Sequence, residues 1–301
     1  MILTVALNAS LHVSYETPQV AWGAANHVSR MYTRAGGGGL AVARVLTGLG
    51  EDVVAAGFAG GGAADLIEAD LARSGVATAF TRIGHESRRV VEVLDEAREE
   101  STRLAEPPPF ITTEELGRFA GEYRKLLSGM DAVVLSGPLP AGLPVDVYAS
   151  LARYAAEASV PAIVHAGGPA LWHALDRHPA LVLAASTAGA PGAGISSGPA
   201  GLVDRGAAAA AMVSGPAVLA AAGSGGWRAV LADLPGLSLS GEAVVAGLLS
   251  AVVHDWTWPD TLRHAVALAS SVQPSGEADL GAYENTLAEV AVTGPAGSLV
   301  G

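Results

Sequence analysis

Short apolar runs alternate along this chain with longer segments in which apolar residues follow the spacing of one helix face. The runs that we expect to form buried strands are 2–7, 53–59, 132–135, 162–165, 181–184 and 218–222. The segments that we expect to form helices are 39–48, 63–73, 113–128, 145–158 and 170–177. Strands that alternate with helices in this way predict an α/β fold, in which helices cover both faces of a mostly parallel sheet.

Two stretches, 11–34 and 81–106, depart from this alternation. Polar and apolar residues alternate within them, as from Val90 to Asp95, and this pattern is typical of exposed antiparallel strands. We expect the two stretches to form a small sheet that projects from the main body as a lid. The three prolines at 107–109 then return the chain to the core fold. The chain is thus predicted to be one domain, 1–301, and the exposed strand edges of its lid favour a homodimer.

Composition narrows the class of protein. Half of the 301 residues are hydrophobic, 15% are charged and the mean hydropathy is +0.38, so a large core is available. The absence of cysteine excludes disulfides and thiolate catalysis, and the eight histidines lack the spacing of a metal motif. A net charge of −12 argues against nucleic-acid partners. The apolar segments are too short for a membrane span and the N-terminus is typical of a strand, which predicts a cytoplasmic protein without membrane partners.

A run of four glycines, Gly36 to Gly39, is the most distinctive feature of the chain, because it leads directly into an apolar helical segment. Glycine allows backbone N–H groups to approach a ligand closely, and the N-terminus of the following helix adds a partial positive charge. The junction therefore suits an anion such as a phosphate. It contains no lysine, which phosphate sites usually carry.

Five segments carry short motifs: LNASLHVSY at 7–15, AGGGGLAVAR at 35–44, SGPLPAG at 136–142, AGSGG at 222–226 and LSGEAVVAGL at 239–248. In this order and spacing they resemble the motifs of the PfkB (ribokinase-like) carbohydrate kinases. The resemblance is strongest to the 1-phosphofructokinase and tagatose-6-phosphate kinase branch. It implies a ribokinase-like, three-layer α/β/α fold with a mostly parallel sheet and a small β lid. It also implies transfer of a phosphoryl group from ATP, with Mg²⁺, to a hydroxyl of a sugar or sugar phosphate.

Several motif positions differ from the family pattern. His12 stands where the family has a sugar-binding Asp, while Gly38 and Ala41 stand where it has a phosphate-binding Lys and an Asn. The Asn and Glu of the family's Asn-x-x-Glu motif, which helps to organise magnesium and phosphate, fall on Ala185 and Ala188. The scaffold motifs are kept, whereas polar groups of the site are replaced.

The resemblance assigns roles position by position. Glu242 stands at the position of the catalytic base, one methylene longer than Asp, and Ser240 with Gly241 forms the anion hole. The implied substrate-binding residues are His12, Gly36, Gly37, Gly38, Gly39, Arg88, Ser136 and Gly137. The implied nucleotide-binding residues are Gly223, Gly225 and Gly226, with helix 258–272 beside the adenine, and no residue is assigned as a metal ligand.

The same residues have simpler interpretations. Glu242 is also typical of an acid in the first turn of a helix, and the glycine run is also typical of a tight connection between a strand and a helix. Arg34 is a candidate substitute for the missing lysine, and Trp256 and Trp258 are expected to be packing residues.

Three hypotheses follow. The first is an ATP-dependent sugar or sugar-phosphate kinase with Glu242 as base. The second is a catalytically impaired pseudokinase that binds a nucleotide or metabolite and acts through a partner or dimer. The third is an altered reaction in which His12 and His165 replace the carboxylate at the substrate end.

Overall fold

The computed structural model describes residues 1–184, 198–231, 239–273 and 277–294. The strands are β1 (Ile2–Ala6), β2 (Ser10–Thr17), β3 (Arg30–Gly36), β4 (Val53–Gly60), β5 (Ala77–Ile83), β6 (Arg88–Asp95), β7 (Glu100–Ala105), β8 (Ala132–Ser136), β9 (Ala162–Ala166), β10 (Leu181–Ala184), β11 (Ala209–Ser214), β12 (Ala217–Ala222), β13 (Gly225–Leu231) and β14 (Val290–Thr293). The helices are α1 (Gly38–Gly48), α2 (Gly61–Arg73), α3 (Thr113–Leu126), α4 (Val147–Glu157), α5 (Gly168–Leu175), α6 (Gly198–Val203), α7 (Gly241–Val253), α8 (Trp258–Ser271) and α9 (Leu280–Leu287).

A large sheet forms the centre of the fold, with the strand order β14-β13-β12-β11-β10-β9-β8-β1-β4-β5. From β5 across to β11 neighbouring strands are parallel, and β12 to β14 continue the sheet in antiparallel pairs. β1 lies between β4 and β8, and all five of its residues are buried. A strand covered on both faces has to be apolar throughout, which is why the pattern of residues 2–7 identified it. The prediction of a mostly parallel sheet in an α/β fold is confirmed.

Helices cover the sheet on both faces and bury two separate cores. One core contains side chains of α1, α2, α7 and α8, and the other contains side chains of α3, α4, α5 and α6. Alternate residues of β1 pack into the two cores, since Ile2 belongs to the first and Leu3 to the second. Helix α3 begins where the sequence suggests, because Thr112 and Glu115 form a reciprocal capping box. None of the described helices combines the length and apolar character needed to cross a bilayer.

A second, four-stranded sheet has the order β3-β2-β6-β7, and we call it the small sheet. It draws on both of the stretches predicted to form a lid, but residues 81–83 belong instead to β5 of the large sheet. Leu11 and Val13, on one face, join the core that contains α2. Farther out on that face Met31 and Leu104 are exposed, and the homodimer through this sheet stays a prediction.

The small sheet overhangs the edge of the large sheet at which the parallel strands end. The chain leaves β1 at Ala6 and enters β2 at Ser10, and it leaves β5 at Ile83 and enters β6 at Arg88. Both connections start at the carboxyl ends of parallel strands, where open α/β sheets bind their ligands. The topology therefore creates a cleft between the small sheet and this edge.

Candidate functional site

The cleft has a volume of about 330 Å³, and three parts of the chain line it: the glycine run, the small sheet and the start of α7. The predicted site residues that it brings together are His12, Arg34, Gly36, Gly37, Gly38, Arg88 and Glu242. Ser10, Arg44 and Arg103 also line it, although they were not predicted as site residues. Residues more than 200 positions apart in the chain thus meet in one space.

The glycine run turns tightly beneath the small sheet. Gly37 has φ +121°, a conformation that favours glycine, and it precedes the first turn of α1. A Cβ at Gly39 would lie 2.5 Å from the carbonyl oxygen of Val5, and a Cβ at Gly36 would lie 2.2 Å from Nε2 of His12. The run therefore makes α1 pack closely on β1 and gives the His12 ring a flat surface. Both the tight connection and an anion-binding turn are compatible with this geometry.

The floor of the cleft is tightly packed at Gly38. At Gly38, the position of the family lysine, a Cβ would lie 2.6 Å from Oγ of Ser136. A longer side chain there requires the Ser136 hydroxyl to move. Gly137 lies beside the same point, and its carbonyl accepts a 2.8 Å hydrogen bond from the Tyr148 hydroxyl. Ser136 and Gly137 therefore support the glycine run from behind.

His12 occupies the middle of the cleft-facing side of the small sheet. Its neighbours across the strands are Arg34 on β3 and Val90 on β6. Burial lowers the pKa of His12 to about 4, and the charges of Arg34, Arg103 and Arg88 act in the same direction. The imidazole is thus neutral at pH 7, and it has one donor and one acceptor nitrogen for a polar ligand.

The side of the cleft formed by the small sheet is cationic. Arg34, Arg88 and Arg103 line the cleft, and its only lining carboxylate among the described residues is Glu242. This excess is notable in a chain with 17 basic and 29 acidic residues. Nε of Arg88 is buried and has no hydrogen-bond partner among the described residues, and the same holds for Oγ of Ser10. Unsatisfied buried donors are costly, so a bound anion would satisfy groups that the protein leaves open.

Arg44 differs from these arginines because it is committed to the fold. It forms a buried ion pair with Asp70 of α2 and donates a 2.8 Å hydrogen bond to the carbonyl of Ala35. The N–H of Ala35 in turn donates to Asp70. This network joins the glycine run to α1 and α2.

The start of α7 places Glu242 at the edge of the cleft. The Ser240 hydroxyl accepts from the N–H of Ala243 at 3.3 Å and donates to Oε2 of Glu242 at 3.2 Å. The N–H groups of Gly241 and Glu242 precede the first intrahelical hydrogen bond and are open to an anion. Ser240, Gly241 and Glu242 therefore form a capped helix start with a carboxylate in its first turn.

His165 closes the floor behind α7. Its Nδ1 lies 3.0 Å from Oγ of Ser136, and a Cβ at Gly241 would lie 3.1 Å from its Nε2. Burial lowers the pKa of His165, and the charge of Glu242 opposes that shift. The imidazole therefore stands between β8 and the first turn of α7.

The predicted nucleotide-binding glycines lie elsewhere. Gly223 lies in the turn between β12 and β13, Gly225 and Gly226 begin β13, and β12 runs antiparallel to β11. Because β11 is parallel to β10, this turn is at the opposite edge of the sheet from the cleft, about 17 Å away along a six-residue strand. The structure does not bring these three residues to the site, because reversal of the chain at β12 was not visible in the motif.

The turn between β11 and β12 lies at the cleft edge instead. It contains Gly215, with φ +57°, followed by Pro216. β11 was missed because its sequence, AAAMVS, is rich in alanine and has little β propensity. The signal that could have located the turn is the Ser214-Gly215-Pro216 sequence itself.

The remaining predicted residues are packing residues or lie outside the described ranges. Trp258 is fully buried and stacks on Trp227 with a centroid distance of 5.1 Å, and Trp256 contacts the His254 and His264 rings. Both tryptophans are packing residues. Ala185 and Ala188 lie outside the described residues. In the described ranges no three His, Asp or Glu side chains converge as a metal site.

This architecture is the ribokinase-like α/β fold, and comparisons with known proteins agree. A family model described as pfkB family carbohydrate kinase matches residues 11–187. The match covers more than half of the chain, so the chain belongs to this family.

Curated relatives include the tagatose-6-phosphate kinases of two Staphylococcus epidermidis strains, 38% and 37% identical over 171 residues. Each match covers 57% of this chain and 54% of the relative, so the matched segment spans about half the length of these relatives.

Solved structures extend the agreement in fold over nearly the whole chain. A possible 1-phosphofructokinase from Thermotoga maritima superimposes with a TM-score of 0.84 at 23% identity, covering 98% of this chain and 99% of that one. The tetrameric inhibited form of phosphofructokinase-2 from Escherichia coli gives a TM-score of 0.84 at 22% identity, covering 95% and 98%.

Proposed function

We propose that this protein is a divergent pfkB-family carbohydrate kinase that transfers the γ-phosphoryl group of ATP to a hydroxyl of a sugar or sugar phosphate. One observation carries the proposal: a single cleft joins the cationic side of the small sheet to the capped start of α7 with Glu242. Phosphoryl transfer depends mainly on positioning and charge stabilisation, and the cleft offers both.

Glu242 would accept the proton of the acceptor hydroxyl as its oxygen attacks the γ-phosphorus and the bond to the leaving ADP oxygen breaks. The open N–H groups at the start of α7 would stabilise charge on the transferring group. Mg²⁺ held by the nucleotide phosphates would neutralise further charge. The described residues form no metal cage of their own, which fits a cation that enters with its nucleotide.

The other end of the cleft favours an acceptor with an anionic group. Arg88 and Arg103 present donors, and neutral His12 lies between them and the glycine run. Charge-assisted hydrogen bonds are roughly twice as strong as neutral ones, so a phosphorylated sugar would gain most from this lining. The tagatose-6-phosphate kinase relatives support the same class of acceptor.

A pseudokinase is the second candidate, and the floor of the cleft favours it. Gly38 and Ala41 line the cleft without a charge or a polar side chain where the family pattern has Lys and Asn. Such a protein would keep the ability to bind a nucleotide or metabolite and would act through a partner or a dimer.

The decisive experiment measures ADP release from ATP and Mg²⁺ with a panel of sugars and sugar phosphates. Turnover is expected with at least one sugar phosphate, and Glu242→Gln is expected to lower it by roughly 10²–10⁴-fold, the usual contribution of a general base. Asp260→Asn is the matched control, because Asp260 is also a first-turn acid beside a hydroxyl cap, at the start of α8.

The outcomes separate the candidates. If the two substitutions lower turnover equally, Glu242 is only an acid at a helix terminus and not the base. Absence of turnover across the panel, together with stabilisation of the fold by ATP or ADP, would establish the pseudokinase. At a hundredfold excess over Kd that stabilisation amounts to about 2.7 kcal/mol.

A further inference from the structure

His165 is a buried titratable group that the proposed reaction does not use. It is the penultimate residue of β9, is only 7% exposed, and does not line the cleft directly. Its carbonyl accepts from the N–H of Gly137 at 3.1 Å, so its backbone is held at the edge of the sheet. A polar ring in this position needs partners on both sides.

The two ring nitrogens face different elements. Nδ1 meets the Ser136 hydroxyl of β8 at 3.0 Å, whereas Nε2 lies against Gly241 in the first turn of α7, where a Cβ would be 3.1 Å from it and would force a shift of a few tenths of an ångström. When the Ser136 hydroxyl donates to Nδ1, the ring proton lies on Nε2 and points toward α7. The ring then links the floor to the helix that carries Glu242.

We propose that His165 is a positioning residue for Glu242: its neutral ring, anchored by Ser136, sets where α7 begins and thereby where the carboxylate stands. This inference rests on the proposed function, since it explains how a carboxylate one methylene longer than the family's Asp is placed for the same task. Errors of about 1 Å in a catalytic group cost on the order of 100-fold in rate, so such placement matters.

The charges around the ring agree with this role. Across the sheet His165 is paired with Leu183 of β10 and Ser136 of β8, both uncharged. Glu242 on α7 is the only charged group among the described residues that acts on its titration, and it raises the pKa that burial lowers. Removal of the Glu242 charge is therefore expected to be detectable at His165.

The pH dependence of this arrangement follows from the direction of the pKa shift of His165. Because burial lowers the folded-state pKa of His165, the ring stays neutral at pH 7 and the stability of this arrangement is lost as the pH falls below the unfolded value of about 6.5. A protonated ring would also place a cation against the positive N-terminus of α7. Protonation of His165 is therefore expected to add to the acid limb that a carboxylate base produces.

The first test does not need turnover. Histidine side-chain NMR of the whole protein is expected to show His165 as the Nε2–H tautomer, and Glu242→Gln is expected to lower its pKa further. Asp260→Asn is the control and should leave the His165 signal in place. An unchanged His165 titration in Glu242→Gln would overturn the proposal even if the protein proves to be a kinase.

The second test uses the active kinase. His165→Ala is expected to lower kcat at least tenfold with less than a twofold change in the KM for ATP. His165→Asn, which keeps an amide donor but cannot titrate, should recover part of kcat and reduce the acid limb to the part that a carboxylate base produces. His178→Asn, a histidine bonded to the Gly206 carbonyl away from the cleft, is the control. An acid limb identical in His165→Asn and in the wild-type protein would overturn the proposal, and absence of turnover in the wild-type protein would refute the proposed function while the NMR test still decides the coupling.

Discussion

The floor of the cleft and the small sheet above it differ sharply in charge. The floor is the glycine run, with Ser136 behind it, and a Cβ at Gly39 would lie 2.5 Å from the carbonyl oxygen of Val5. The small sheet presents Arg34, Arg88 and Arg103 to the same space. In the proposed function, the side chains that bind the anion would therefore belong to the small sheet and not to the floor.

The largest loss of stability is expected where the floor and the small sheet are joined. Arg44→Met removes the partner of Asp70 in an ion pair whose side chains are 4% and 13% exposed, and it also breaks the bond to Ala35. Loss of one partner of a buried pair typically costs 3–5 kcal/mol of unfolding free energy, roughly, because the other charge stays buried. Urea unfolding measures this.

Arg73→Met is the matched control, because Arg73 pairs with the same Asp70 but its side chain is 65% exposed. Exposed pairs contribute about 0–1 kcal/mol. Similar losses in the two variants would show that the glycine run does not depend on the buried network.

A smaller loss of stability is expected when a side chain is added in the glycine run. Gly39→Ala places a Cβ against the Val5 carbonyl and should destabilise the protein by about 1–3 kcal/mol, as overpacking does. Gly48→Ala, at the other end of the same helix with nothing within 4 Å, should instead stabilise it by roughly 0.5–1 kcal/mol. Thermal or urea unfolding of both variants compares them, and a neutral Gly39→Ala would contradict the close packing of α1 on β1.

The smallest effect is expected from a substitution in the small sheet, and this substitution changes only the affinity for ligand. Arg88→Ala should weaken binding of a sugar phosphate about tenfold, equivalent to about 1.4 kcal/mol, while binding of the unphosphorylated sugar changes little. Arg89 is the control, since it is the next residue, points to the other face and pairs with Glu86. Calorimetric titration with both ligands measures this, and equal losses for Arg88→Ala and Arg89→Ala would remove the small sheet from anion recognition.

Much of the fold was predictable because buried parallel strands need continuous apolar runs. β1, β4, β8, β9, β10 and β12 were all found in this way. The small sheet was found from its alternating pattern, although its central pair, β2 and β6, is parallel and not antiparallel as expected. The rest of the antiparallel end was harder, because β11 is mostly alanine and β13 begins with two glycines. Such sequences bury well in any conformation, so periodicity alone does not identify them.

The site was predictable only where a motif is contiguous. The glycine run and the start of α7 were located by their local sequence, since turn conformation and helix capping depend on neighbouring residues. Arg103 was missed because its place in the cleft depends on the pairing of β6 with β7. Gly223, Gly225 and Gly226, predicted to bind the nucleotide, lie at the sheet edge opposite the cleft. A glycine motif does not indicate the direction of the strand that precedes it.

The amino-acid sequence by itself determined the family, the strand–helix alternation and the loss of polar groups at His12, Gly38 and Ala41, since each is a property of residues close together in the chain. Only the tertiary structure decided what surrounds these positions. It brings Arg103 into the same cleft as the predicted Arg88, and it packs His165 between Ser136 and the first turn of α7. Both depend on strand pairing between distant segments, because only that pairing determines which side chains meet.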